Sequence, residues 1–396
     1  HEHGLNIEPA SIIKKYTSLP VGAVGGINSP EQVDQAIADG KIDFAIFGRQ
    51  MLADPDFTQK CMDGDEAQIR RCLRCYKCFP GSPEEGYDDL PFTSEQLAVY
   101  VGHCTINPTA HLPFDVEQLP PAEKGPQKVL IVGGGIAGIQ AAITAADRGH
   151  KVTLAEKSDK LGGLLYFTDV DIDKPDLRNF KDMMIREVKR HDVEILMNTE
   201  VTPEFIKEFA PDAVILATGS VPACPPINGI EHAHQAMSVY DGTCEPGKKV
   251  VMIGGGLVGC ETGLYLQKTG HEVTVVEMLD RVANESFGMY REALVWEMEK
   301  NNMTMLPKTK CLEITPNSVK IENADGVQEL EADTILYALG MKSVDYSALK
   351  EAAGDASVYV IGDAIHPGKV DQCTRTGYIA ALKVGASEES VAYIQE

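Results

Sequence analysis

Two glycine patterns and one cysteine run carry chemistry in this sequence. Gly133-x-Gly135-x-x-Gly138 and Gly254-x-Gly256-x-x-Gly259 each follow an apolar strand and open a helix. In such a turn the first glycine bends the chain and the second lets backbone approach a pyrophosphate. The third lets helix and strand pack closely, and the helix N-terminus stabilises phosphate charge. An acid closes each pattern, Glu156 and Glu277, at the end of the next strand, where it can accept from ribose hydroxyls. A carboxylate repels a 2′-phosphate at a cost on the order of a few kcal/mol. Glu277 therefore points to NADH over NADPH, with Arg281 nearby as the residue that could reverse the preference.

Cys72-x2-Cys75-x2-Cys78 brings three thiolates onto one short loop. Cubane iron–sulfur clusters are held by four cysteines, and this spacing suits three of them. Cys104 is the best candidate for the fourth; Cys61 competes, but falls in a helix-like stretch. His103 is read as a neighbour and not a ligand. Structural zinc is the alternative, although zinc sites commonly pair two Cys-x2-Cys knuckles and no second one follows. Arg70, Arg71, Arg74 and Lys77 are expected to lower the thiol pKa values and to offset cluster charge.

The elements that position these residues form a repeat. Segments starting at Lys128 and Lys249 run in step, their glycines offset by 121 residues (254 − 133). Gly149-His150 matches Gly270-His271, and Val152-Thr153 matches Val273-Thr274. Each segment reads as strand, turn, helix of about four turns and second strand, a βαβ unit of dinucleotide-binding type. Upstream, residues 21–27 and 44–47 read as strands around a helix with Ser29 as N-cap and Pro30 at its first position. They look like the last two βα units of a TIM barrel, whose final loops commonly build a phosphate site. Gly25, Gly26 and Gly48 would offer backbone N–H groups there, and Arg49 a fork of donors. A glycine-rich turn with a surface arginine is the plainer reading of the same residues.

Lys plus Arg number 36 and Asp plus Glu 59 among 396 residues, a net charge of −23. Such a surface repels phosphate backbones and anionic lipids, so neither nucleic acid nor membrane is expected as a partner. No apolar run approaches the ~18 residues of a membrane span, and clustered cysteines without a secretory signal predict a cytoplasmic protein. Pro113, Pro120, Pro121 and Pro126 mark residues 109–127 as a linker. The expected fold is α/β: the C-terminal end of a TIM barrel (1–66), a Cys-rich cluster segment (67–108), the linker, then two Rossmann-like dinucleotide-binding domains.

From residue 128 onward the sequence resembles the two-dinucleotide-domain flavoprotein reductases. Leu161-Gly162-Gly163, Ala217-Thr218-Gly219, Leu339-Gly340 and Gly362-Asp363 carry the likeness beside the two fingerprints. The resemblance implies FAD at Gly133, Gly135, Gly138, Glu156, Gly163, Thr218, Gly219 and Asp363. It implies the nicotinamide nucleotide at Gly254, Gly256, Gly259, Glu277 and Gly340. It also implies a split FAD domain, 128–240 with 341–396, around an NADH domain at 241–340. The disulfide reductases of that group are set aside, because no cysteine lies between 105 and 223 and no Cys-x2-Cys follows the second fingerprint. Cys260 and Cys311 read as buried small hydrophobes.

Residues 19–52 resemble the FMN barrel of the Old Yellow Enzyme superfamily. The order of parts is similar to the branch that includes 2,4-dienoyl-CoA reductase, 2-enoate reductase and trimethylamine dehydrogenase. That likeness implies FMN at Gly25, Gly26, Gly48 and Arg49, and a 4Fe–4S cluster on the four cysteines. It implies electron flow from NADH through FAD and the cluster to FMN, and on to the C=C bond of a small α,β-unsaturated carbonyl compound. The alternatives are an amine dehydrogenase of the same architecture, or an NADH-binding electron-transfer or sensor module without its own substrate. The gap from Cys78 to Cys104 exceeds the family pattern, and residues 79–101 read as an acidic insertion. A barrel needs eight strands, so six units are expected upstream, with the catalytic residues, which stay unassigned. A homo-oligomer is compatible with the sequence.

Overall fold

The computed structural model describes residues 2–78, 103–110, 122–286 and 288–387. The acidic insertion at 79–101 and most of the linker, 111–121, lie outside the described residues.

Two five-stranded parallel sheets dominate. The first runs in the order Ser357–Val360, Ala213–Leu216, Lys128–Val132, Lys151–Ala155, Val193–Leu196. Its central strand is apolar at consecutive positions because both faces are covered. Val129 and Ile131 pack into one core with Phe180, Met183 and Ala381, while Leu130 and Val132 enter another with Ile206 and Ala353. The strand Ser357–Val360 thus arrives from beyond the second sheet to complete the first. The helix Val370–Lys383 follows it and lies so close to the helix Ile136–Asp147 that a Cβ on Gly377 would meet the Ala137 carbonyl oxygen at 2.4 Å.

The second sheet runs Thr304–Leu306, Glu272–Val276, Lys249–Ile253, Thr334–Tyr337, His234–Gln235. Val250 and Met252 face the helix Leu257–Lys268, while Val251 and Ile253 face an antiparallel sheet of Lys310–Thr315, Ser318–Asn323 and Gly326–Glu331. Where the chain passes between the two parallel sheets, Ser220–Pro222 pairs antiparallel with Met341–Ser343.

The N-terminal part is a single βαβ unit on a small core of Ile7, Ala23, Ile27, Ala36 and Ile42. Its helix, Pro30–Ala38, begins as the sequence predicts, with Ser29 Oγ accepting from the Gln32 N–H at 3.3 Å. The parallel strands are shorter than predicted, Gly22–Ala23 and Phe44–Ala45. The first ends because Gly25 and Gly26 turn the chain, with φ of 152° and 65°. Among the described residues no helix is long and apolar enough to cross a membrane.

Candidate redox cofactor sites

The two glycine cradles are near copies. A Cβ on Gly138 would lie 1.9 Å from the Gly133 carbonyl oxygen, and one on Gly259 would lie 2.0 Å from that of Gly254. Glu156 Oε2 accepts from the Gly134 N–H at 2.7 Å; Glu277 Oε2 accepts from the Gly255 N–H at 2.6 Å. Their Oε1 atoms accept from Ser158 N–H at 2.8 Å and Leu279 N–H at 2.7 Å. Glu156 Oε1 also accepts from Ser158 Oγ at 2.8 Å, so each acid is buried yet keeps a lone pair on Oε2 that a ribose hydroxyl can use. Arg281 is exposed and its Nε donates to Asn284.

The remaining residues of the first site gather at the C-terminal edge of its sheet, where ligands bind in open α/β folds. Gly162 N–H donates to the Gly134 carbonyl at 2.9 Å, and Gly163 packs against Gly135. Thr218 Oγ1 is buried without a partner in the protein, an orphan that a bound ligand can satisfy. Gly219 is left-handed, at φ 73°. Asp363 is held by Ser220 Oγ at 2.7 Å and by the Gly368 N–H at 3.1 Å. Gly340, at φ 96°, accepts from the Ala223 N–H at 2.9 Å where the chain crosses between sheets. The cradles a Cβ would fill and the orphan hydroxyl fit a dinucleotide.

All four predicted cysteine ligands line one cavity: Cys72, Cys75, Cys78 and Cys104, with Arg49 and His103. Cys61 does not; it sits on the helix Phe57–Asp63. Between the motif cysteines, Arg74 and Tyr76 take left-handed conformations, φ 55° and 62°. Donors reach the sulfurs: Arg74 N–H to Cys72 Sγ at 3.4 Å, and Thr105 Oγ1 beside Cys75 Sγ at 3.1 Å. The four thiols with nearby donors fit an iron–sulfur cluster. Among the described residues no three His, Cys, Asp or Glu side chains are arranged to hold a single metal ion. One expectation is reversed. Burial pushes the Cys72 and Cys78 thiols up and Cys104 to about 11. The motif cations do not lower them, because each is engaged elsewhere. A metal must therefore displace the protons to bind here.

Sequence reasoning missed the residues that join this cavity to its neighbours. Gln50 Oε1 accepts from the Cys72 N–H at 2.9 Å while its Nε2 donates to the Arg70 carbonyl at 3.0 Å. On the other side, Thr374 Oγ1 donates to the Thr105 carbonyl at 2.8 Å and Arg375 donates to His103 Nδ1 at 2.9 Å. Asp176, half-buried beside the loop, accepts from Arg74 at 3.0 Å and pairs with His3 at 2.8 Å. No local pattern marks these residues. Gly25 and Gly26 follow the strand Gly22–Ala23 and Gly48 follows its parallel partner Phe44–Ala45, while Arg49 lines the cysteine cavity and stacks on Tyr76, 4.6 Å from the ring centroid. Cys260 is fully buried and donates to the Gly255 carbonyl, whereas Cys311 is only half-buried.

Comparison with known proteins follows this division. Residues 127–377 match the family described as pyridine nucleotide-disulphide oxidoreductase, and residues 3–68 match the NADH:flavin oxidoreductase / NADH oxidase family. An NADH oxidase of Thermoanaerobacter brockii is 35% identical, over 97% of this chain and 58% of its own length. A cinnamate reductase of Clostridium sporogenes is 38% identical, over 69% of this chain and 39% of its own. A 2-naphthoyl-CoA reductase solved with 2-naphthoyl-CoA superposes with a TM-score of 0.87 at 29% identity, over 97% of this chain and 57% of that one. The chain thus spans less than two thirds of the length of each of these relatives. It belongs to the pyridine nucleotide-disulphide oxidoreductase family, in the Old Yellow Enzyme-type branch where that module follows the end of an NADH:flavin oxidoreductase barrel.

Proposed function

We propose that the protein passes electrons from NADH through FAD and a 4Fe–4S cluster to FMN, and so reduces the C=C bond of an α,β-unsaturated carbonyl compound. The observation that carries this reading is the place of the cysteine cavity. Arg49 and Gln50 reach it from the barrel end, and Thr374 and Arg375 reach its rim from the helix beside the first nucleotide sheet. A one-electron carrier seated there would lie between the two flavins. FAD would rest on the cradle of Gly133, Gly135 and Gly138, with Glu156 on ribose and Thr218, Gly219 and Asp363 along its length. NADH would take Gly254, Gly256 and Gly259, with Glu277 excluding a 2′-phosphate. Gly25, Gly26 and Gly48 would offer N–H groups to the FMN phosphate. The flavins and the cluster supply the hydride and electron chemistry when bound; this chain holds, orients and insulates them. The named substrates of the cinnamate and 2-naphthoyl-CoA reductases support an unsaturated acyl substrate.

The intact second cradle favours NADH as donor over the amine-dehydrogenase reading, in which electrons need not come from a nicotinamide. The test uses the complete protein, isolated anaerobically. Iron, acid-labile sulfide, FAD and FMN should all be present, NADH should bleach the flavins, and cinnamate-like acids or their thioesters should be hydrogenated. Zinc in place of iron and sulfide, or flavins bleached by an amine and not by NADH, would defeat the proposal.

A further inference from the structure

The two cradles differ in one respect. The repeat aligns Leu161-Gly162-Gly163-Leu164 with Val282-Ala283-Asn284-Glu285 at the same offset of 121 residues (285 − 164). Both segments fold back over their own glycine turn. Gly162 N–H donates to the Gly134 carbonyl at 2.9 Å, and Ala283 N–H donates to the Gly255 carbonyl at 2.6 Å. Ala283 is left-handed, at φ 51°, where the first unit has Gly162 at φ 105°. The fourth aligned residue then separates the sites. Leu164 is apolar and exposed, and a Cβ on Gly135 would meet the Gly163 Cα at an ordinary 3.9 Å. Glu285 instead carries a carboxylate into the second cradle. Its Oε1 accepts from the N–H of Leu257, the first residue of the helix Leu257–Lys268. The same oxygen lies 2.8 Å from where a Cβ on Gly256 would stand, and Oε2 lies 3.7 Å from that point. Gly256 and Leu257 are where a glycine turn admits a pyrophosphate and a helix N-terminus stabilises its charge.

We infer that Glu285 is a resident competitor in the NADH cradle: its carboxylate occupies the pyrophosphate seat, NADH must displace it to bind, and this side chain thereby sets the affinity of the site. The inference rests on the nucleotide reading given above. A carboxylate and a pyrophosphate are both acceptors for the Leu257 N–H, and at such range their charges repel. Displacement needs no unfolding. Glu285 is exposed, and Lys369 Nζ donates to its backbone carbonyl at 2.6 Å. Rotation about the side-chain bonds therefore moves the carboxylate into water while the loop stays anchored. Binding exchanges one charge-assisted hydrogen bond at the helix end for another, and the affinity is the difference between them. The donor must leave after each turnover, which a contested seat favours, whereas FAD stays on a cradle where Leu164 offers no charge.

The test uses Glu285→Gln and Glu285→Ala in the complete protein with its flavins bound. Dissociation constants are measured calorimetrically for NAD+, ADP-ribose and adenosine. Both variants should bind NAD+ and ADP-ribose about tenfold more tightly than wild type. Adenosine, which carries no phosphate, should bind as before. Weaker binding of ADP-ribose to the variants would overturn the inference and make Glu285 a group that holds the dinucleotide; unchanged binding would overturn it too. An equal gain for adenosine would also overturn it, because the loop and not the pyrophosphate seat would then be what the carboxylate controls. If Glu285→Ala fails to fold, Glu285→Gln decides alone, since its amide oxygen can still accept from Leu257 but carries no charge. Wild type and both variants all failing to bind any of the three probes would bring down the nucleotide reading of the second cradle itself, and this inference with it.

Discussion

At the scale of single residues, the cradles are set by contacts with no room to spare. A methyl on Gly138 meets backbone 1.9 Å away, which no side-chain rotation can relieve. Gly138→Ala is expected to destabilise the protein by about 2–3 kcal/mol and to release FAD, read by thermal denaturation and flavin content. Gly259→Ala places the same clash in the second cradle, at 2.0 Å. It should keep flavin, and its cost should fall on NADH binding, read as a raised Kd. Flavin loss in both variants alike would contradict the separation of the two sites.

At the scale of elements, the strands of the first sheet are pinned at their starts. His150 is buried just before the strand Lys151–Ala155, and its Nδ1 accepts from the Gln127 N–H at 3.1 Å, just before Lys128–Val132. Burial, with Arg148 nearby, holds its pKa below 6.5. Protonation would turn the acceptor into a donor facing a donor. The folded state therefore binds the proton less readily than the unfolded chain does. Stability should be insensitive to this group above about pH 6.5 and fall as pH drops through the folded pKa. Urea titrations at stepped pH should show that slope, and His150→Gln should flatten it. The paired elements were legible in the sequence because glycine spacing, strand apolarity and the distal acids Glu156 and Glu277 all repeat in step. The Ser29 cap was legible for the same local reason. Gln50, Thr374 and Asp176 were not, because their partners lie 22 to 269 residues away and nothing at either end signals the other. The raised thiols were missed because counting nearby cations says nothing about where those cations are already committed.

At the scale of the whole molecule, the two parallel sheets are tied by a half-buried polar group. Lys174 ionically pairs with Glu261 and donates to Tyr290 Oη at 2.7 Å, while Lys268 pairs with Asp173 at 2.8 Å. Burial alone would depress the Lys174 ammonium, but Glu261 and Tyr290 overcome it and hold its pKa above the ordinary range. Lys174→Met should cost about 3–5 kcal/mol by leaving Glu261 uncompensated. The double variant with Glu261→Leu should recover most of that, in denaturant titrations. An additive double variant would mean that the pair is not coupled.

The late arrival of Ser357–Val360 in the first sheet has a consequence for biosynthesis. Its partner Ala213–Leu216 leaves the ribosome 141 residues earlier (357 − 216). At about 5–20 residues per second that is a wait of roughly 7–30 s. During it, the five strands of the second sheet all emerge, with helices to cover them. The nascent chain therefore finishes its inner nucleotide unit first, while the outer one stays open at an edge until the last strand is translated.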